Sequence, residues 1–171
     1  MSRNRRSAGL TTEKKCDTRA SIPPGRAPAA VTLRPAGQRA ARLVSVPPVI
    51  ARLFAYGTLQ PGRLRWPFLE PYVAGHRPAH VCGRIYDGGF GWPVMVFEDT
   101  AGPVPGTILD LDRDRLNEIL VVLDAVESAA TDLLTRIVVT TTEGETAWAY
   151  HWIGSTAAMT PIDRWAATVE R

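Results

Sequence analysis

Along the second two-thirds of the chain, apolar residues fall into short strand-length runs broken by glycine and proline, and a helical spacing occurs clearly only once. Ile50 to Tyr56 is nearly continuous and apolar, the pattern of a strand covered on both faces. It stops at Gly57, and Gln60-Pro61-Gly62 closes the turn. Leu64 to Leu69 has room for one helical turn, limited by Pro67. Val73 to Tyr86 predicts one or two strands, interrupted at Pro78, and the glycine-rich loop Gly88 to Pro93 leads into a strand over Val94 to Phe97. Val104 to Leu111 is the next strand.

Asp112 then suits a helix N-cap, and Leu116, Ile119, Leu120 and Leu123 keep the i, i+3, i+4, i+7 spacing of a one-sided helix. Leu133 to Thr141 and Thr146 to Ile153 form a predicted hairpin around Thr142-Glu143-Gly144-Glu145. Thr160-Pro161 predicts a short closing helix, with threonine as cap and proline at the first helical position. Strands without regular βαβ alternation, plus one main helix, define an α+β domain: a small barrel or mixed sheet.

The net charge of +3 conceals an asymmetry. Residues 1–50 hold ten of the 20 Lys/Arg and two of the 17 Asp/Glu, a net of +8, which leaves −5 on the remainder. The basic character therefore belongs to the N-terminal segment, and the body offers no nucleic-acid footprint. That segment is rich in Arg, Ala, Pro and Ser, lacks Phe, Trp and Tyr, and shows no sustained period. It cannot bury enough apolar surface to offset its ordering entropy. The division expected is a disordered basic tail over residues 1–48 and a folded domain over 49–171. A transit peptide or a weak nucleic-acid arm has similar composition, but a secretory signal needs an apolar run after Arg5-Arg6 that is absent. No stretch reaches the ~18 apolar residues of a membrane span, and two cysteines, Cys16 and Cys82, are too few for a disulfide framework. A cytoplasmic protein is expected.

Two features carry chemistry. Consecutive backbone amides after a strand, at Tyr56-Gly57-Thr58-Leu59, can form a concave nest for a carboxylate, with Gly57 allowing close approach. Leu123-Asp124-Ala125-Val126-Glu127 ends the helical stripe in an acid. If the helix runs on, Glu127 returns to the apolar face eleven residues after Leu116, where burial and the helix C-terminus both raise its pKa toward that of a general base. If the helix ends at Asp124, Glu127 sits in solvent.

Together these residues resemble the gamma-glutamylcyclotransferase-like family, including its gamma-glutamylamine cyclotransferase branch, from Leu53 to about Tyr150. Phe54 to Gly62 looks like the family's opening signature. Gly83-Arg84-Ile85-Tyr86 and Pro105-Gly106-Thr107-Ile108 look like its inner strands, and Arg136-Ile137-Val138-Val139 like the strand after its catalytic glutamate. The resemblance implies a small mixed β-barrel flanked by short helices. It implies conversion of a γ-glutamyl amine or peptide to 5-oxoproline and free amine, with no cofactor or metal. The amides of Tyr56, Gly57, Thr58 and Leu59 would hold the substrate's α-carboxylate, and Glu127 would be the catalytic acid/base. Partners implied are a small-molecule substrate, with no membrane and no nucleic acid. The chain departs from the family pattern at Ser128, where the family has glycine, and at Leu134, where it has tyrosine. These departures sustain an alternative, a non-catalytic member that binds a small ligand or partner.

His76, His80 and Cys82 fall at even spacing, on one face of a strand, and His151 is a further candidate, but no CxxC or HExxH pattern supports zinc. No G-x-S-x-G marks a serine nucleophile. Phe90 and Trp92 either wall the cavity or pack the core.

Overall fold

The computed structural model describes residues 49–128 and 131–166; the expected tail over residues 1–48 lies outside them. Seven strands and one α-helix follow in the order β1 (Arg52–Ala55), β2 (Val73–Asp87), β3 (Pro93–Phe97), β4 (Pro103–Leu111), α1 (Leu116–Ser128), β5 (Leu134–Thr140), β6 (Thr146–Trp152) and β7 (Thr160–Ile162). Two 3₁₀ turns, Trp66–Phe68 and Glu70–Tyr72, lie between β1 and β2.

The strands make a mixed sheet ordered β3-β2-β4-β1-β6-β5, with β7 added to β2. Strand β1 is antiparallel to β4 and parallel to β6. The sheet curls into a nearly closed barrel: the Thr142 N–H in the β5–β6 turn donates to the His80 carbonyl on β2 at 2.8 Å. The Phe97 N–H of β3 donates to His151 Nδ1 of β6 at 3.2 Å, a second tie across the seam. His151 therefore serves the closure, and among the described residues no group of three His, Cys, Asp or Glu is arranged to hold a metal. Nor is any described helix long and apolar enough to cross a membrane.

The continuous apolar run at β1 has its physical reason in two cores. Phe54 and Tyr56 point into the barrel with Val81, Ile85, Met95, Ile108 and Ala149. Leu53 and Ala55 point the other way, into a second core with Leu59, Leu109, Ile119 and Leu123. Period-two alternation thus places β1 between barrel interior and helix. On α1, Leu116, Ile119, Leu123 and Glu127 are the buried positions, while Val121 on the opposite face is 70% exposed.

Three expectations are corrected. Strand β2 runs unbroken through Pro78. There β4 pairs one edge, and β3 joins the other only from Gly83 onward, so the missing N–H costs no ladder bond. Asp112 does not cap α1 directly; its Oδ1 accepts the Asp114 N–H at 3.0 Å and forms a turn before the helix starts at Leu116. The closing helix expected at Thr160-Pro161 is strand β7, paired to β2 through Ile85–Ile162, Tyr86–Pro161 and Asp87–Thr160. An available sheet edge outweighs a local cap signal.

Candidate active site

Strand β1 delivers Tyr56 into the barrel, and the chain then turns away across the barrel's end. The Gly57 carbonyl accepts the Gln60 N–H at 3.2 Å, and the Thr58 carbonyl accepts the Arg65 N–H at 2.9 Å. These bonds use the turn's carbonyls. Among the described residues, the N–H groups of Gly57, Thr58 and Leu59 donate to no turn, loop or side-chain partner. Gly57 does not adopt a left-handed φ. Its lack of a side chain serves close approach instead, since a Cβ there would lie 2.8 Å from Pro93 Cγ.

A cleft opens at this turn, lined by Tyr56, Gly57, Thr58 and Leu59 on one side and by Glu127 from α1 on the other, with Arg65, Trp92, Leu134 and Tyr150 completing the wall. All five residues singled out in the sequence meet here. Helix α1 does continue past Asp124, so Glu127 lies on the buried stripe and its side chain is only 8% exposed. Burial raises its pKa above the ordinary carboxylate value, and the charge and hydrogen bond of Arg65 oppose the rise without cancelling it. Arg65 Nη1 donates to Glu127 Oε2 at 3.1 Å, and its guanidinium lies 6.0 Å from the centroid of the Trp92 ring.

A hydrogen-bonded scaffold fixes the two sides of the cleft relative to each other. Tyr56, buried, donates its hydroxyl to the Tyr150 carbonyl at 2.8 Å. Burial, with the nearby Glu127 charge, holds that phenol neutral. Tyr150 donates to Asp124 Oδ1 at 2.7 Å; burial first, then Asp124, keeps it protonated too. Arg136 pairs with Asp124 Oδ2 at 3.0 Å, donates to the Leu120 carbonyl at 3.3 Å and lies over Trp148. These contacts tie the middle turns of α1, from Leu120 to Asp124 and just before Glu127, to β5 and β6.

The two departures from the family pattern fare differently. Leu134 lines the cleft. Ser128 does not; its Oγ donates to the Ala125 carbonyl at 3.3 Å at the exposed helix end. Trp92 walls the cleft, and Phe90 stacks on it at 5.1 Å but is 48% exposed; neither belongs to the two cores. Sequence reasoning missed Arg65 and Tyr150. The cavity volume is about 30 Å³, room for about two waters.

Residues 53–167 match the model of the family described as gamma-glutamyl cyclotransferase, AIG2-like. No curated protein matches the sequence. Among solved structures, an uncharacterised protein from Pyrococcus horikoshii aligns with a TM-score of 0.50 at 18% identity, over 66% of this chain and 86% of that one. A protein specific to uropathogenic E. coli aligns with a TM-score of 0.51 at 15% identity, over 66% and 87%. Both share the fold.

Proposed function

The chain belongs to the gamma-glutamyl cyclotransferase, AIG2-like family, and from that premise we propose that it converts a γ-glutamyl amine or peptide to 5-oxoproline and a free amine. The observation that carries this is the meeting across one cleft of one buried carboxylate, Glu127, with the backbone N–H groups of Gly57, Thr58 and Leu59, which have no turn, loop or side-chain acceptor among the described residues. The amides of residues 56–59 hold the substrate's α-carboxylate as an anion nest. Glu127, its pKa raised by burial, takes a proton from the α-ammonium. The freed amine attacks the γ-carbonyl carbon, a new C–N bond closes the five-membered ring, and the bond to the leaving nitrogen breaks. Glu127 returns that proton to the leaving nitrogen, and the second proton shed by the ring nitrogen as the C–N bond forms follows by the same carboxylate, so the amine departs as an ammonium and Glu127 ends ionised. Because the nucleophile is tethered to its electrophile, the site needs only to orient and move a proton. The reaction requires no metal or cofactor. We assign the activity to residues 49–171 and none of it to residues 1–48.

The test is release of 5-oxoproline and amine, in equal amounts, from γ-glutamyl dipeptides and γ-glutamyl amines, with wild type beside Glu127→Gln. Turnover that falls about 100-fold or more in the variant is expected. A folded wild type inert on every substrate refutes the activity. A second reading, a ligand-binding member without turnover, is favoured by Leu134 in the cleft wall, which supplies no hydroxyl; it predicts binding of γ-glutamyl compounds and no 5-oxoproline.

A further inference from the structure

Arg65 is under-used by the chemistry above. A guanidinium has five N–H donors in a planar fork suited to two-point capture of a carboxylate. Here one of them, on Nη1, bonds Glu127. Among the described residues the guanidinium's other contact is the Trp92 ring, and none of them offers the rest of the fork an acceptor, although the side chain is only 17% exposed. Exposure rises from Glu127 at 8% to Arg65 at 17% and to Phe90, stacked on Trp92, at 48%. Arg65 therefore joins the buried acid to the aromatic pair, while its backbone N–H holds it to the turn through the Thr58 carbonyl at 2.9 Å.

Turnover makes the imbalance worse. Once Glu127 takes the substrate's proton it is neutral, and Arg65 is left as a partly buried cation without a counter-charge, an arrangement that is costly. A second carboxylate beside the reacting amide would remove that cost at the stage where it arises. We propose that Arg65 is a specificity-determining residue that binds a carboxylate on the leaving amine, so that the preferred leaving group is an amine carrying both a carboxylate and an apolar or aromatic side chain. Resting on the cyclotransferase reading for what is cleaved, this assigns the α-carboxylate to the turn amides and the leaving group's carboxylate to the free part of the Arg65 fork. Trp92, Phe90 and Leu134 receive the side chain. Leaving groups with a distal ammonium meet the Arg65 charge and are rejected.

The test pairs two substrates that differ only in this carboxylate, γ-glutamyl-phenylalanine and γ-glutamyl-phenethylamine. Wild type should favour the first in kcat/KM by about 10- to 100-fold, as a charge-assisted bond lost in a desolvated site implies. Arg65→Gln should bring the ratio to about one, whatever it does to the absolute rate through Glu127. Arg65→Lys, which keeps the charge without the fork, should restore part of it. A wild type indifferent to the carboxylate, or an unchanged ratio in Arg65→Gln, overturns the proposal.

Glutaryl-phenylalanine and glutaryl-phenethylamide lack the α-amine and cannot cyclise, so their binding, measured by calorimetry, reads the subsite without turnover. An Arg65-dependent preference for the first with no 5-oxoproline from any γ-glutamyl compound supports the subsite and refutes the cyclotransferase activity. Turnover with no preference in either assay does the reverse.

Discussion

Replacing Gly57 with alanine tests the geometry of the turn itself. The new Cβ would lie 2.8 Å from Pro93 Cγ and 3.0 Å from its Cδ, whereas relaxed carbon contacts are at about 3.5–4.0 Å. One side must therefore yield by about 0.7 Å or more. Pro93 has no rotamer to escape into, is buried, and begins β3 next to Val94 and Met95, both fully buried. The turn yields instead, and with it the amides of Gly57 to Leu59. Overpacking of this kind costs roughly 1–3 kcal/mol, a fall in melting temperature of about 4–12 °C for a domain of this size. A displacement on this scale also weakens substrate binding by about tenfold or more. Gly102→Ala is the control: nothing lies within 4 Å of its Cβ and its φ is ordinary, so it should leave the melting temperature unchanged or slightly raised. Thermal unfolding by circular dichroism and steady-state KM for a γ-glutamyl dipeptide decide the matter. A Gly57→Ala protein that melts with the control and keeps its KM refutes the claim that close packing of Pro93 shapes the nest.

Other consequences follow from the same contacts. A base with a raised pKa must be ionised to act, so kcat/KM should fall as pH drops through the elevated pKa of Glu127. Arg65→Gln, by removing an influence that lowers that pKa, should move this acid limb to higher pH; a pH–rate profile of both proteins checks the direction. The folded state holds the Glu127 proton more tightly than the unfolded chain, so stability should decline as pH rises above the ordinary value of 4.5 through the elevated one. Urea titrations of Glu127→Gln should show that decline reduced. Tyr150→Phe removes the 2.7 Å bond to Asp124 and should cost about 0.5–1.5 kcal/mol in the same titration, with a loss in kcat if α1 shifts. Removing residues 1–48 should leave turnover unchanged in a direct rate comparison.

Much of this architecture was legible locally. The run Ile50 to Tyr56 signalled a doubly covered strand because both cores that flank β1 draw on it, through Phe54 on one face and Leu53 on the other. The hairpin was legible because Gly144 supplies the left-handed residue its turn needs, at φ 86°. The stripe ending in Glu127 carried its own periodicity, and only the helix's extent was open. What local signals could not carry was partnership. Pro78 breaks a strand only where its N–H is needed, and which edge of β2 is paired there depends on β3 and β4. Thr160-Pro161 has good cap chemistry, yet the edge of β2 lies some 75 residues earlier in the chain and captures it. Arg65 meets Glu127 across 62 residues of sequence; its placement in a turn just after the opening signature, next to Trp66, was the single local hint. Tyr150 looked like an ordinary strand aromatic because its partner Asp124 belongs to another element.

The central claim is that the substrate's own amine, deprotonated by Glu127, displaces the leaving group, and turnover of a γ-glutamyl dipeptide in ¹⁸O-water tests it most directly. Intramolecular attack predicts 5-oxoproline whose ring carbonyl carries no solvent oxygen, formed in step with free amine. Glutamate labelled with ¹⁸O in its γ-carboxylate, with no 5-oxoproline, would mean that water attacks instead and would contradict the account.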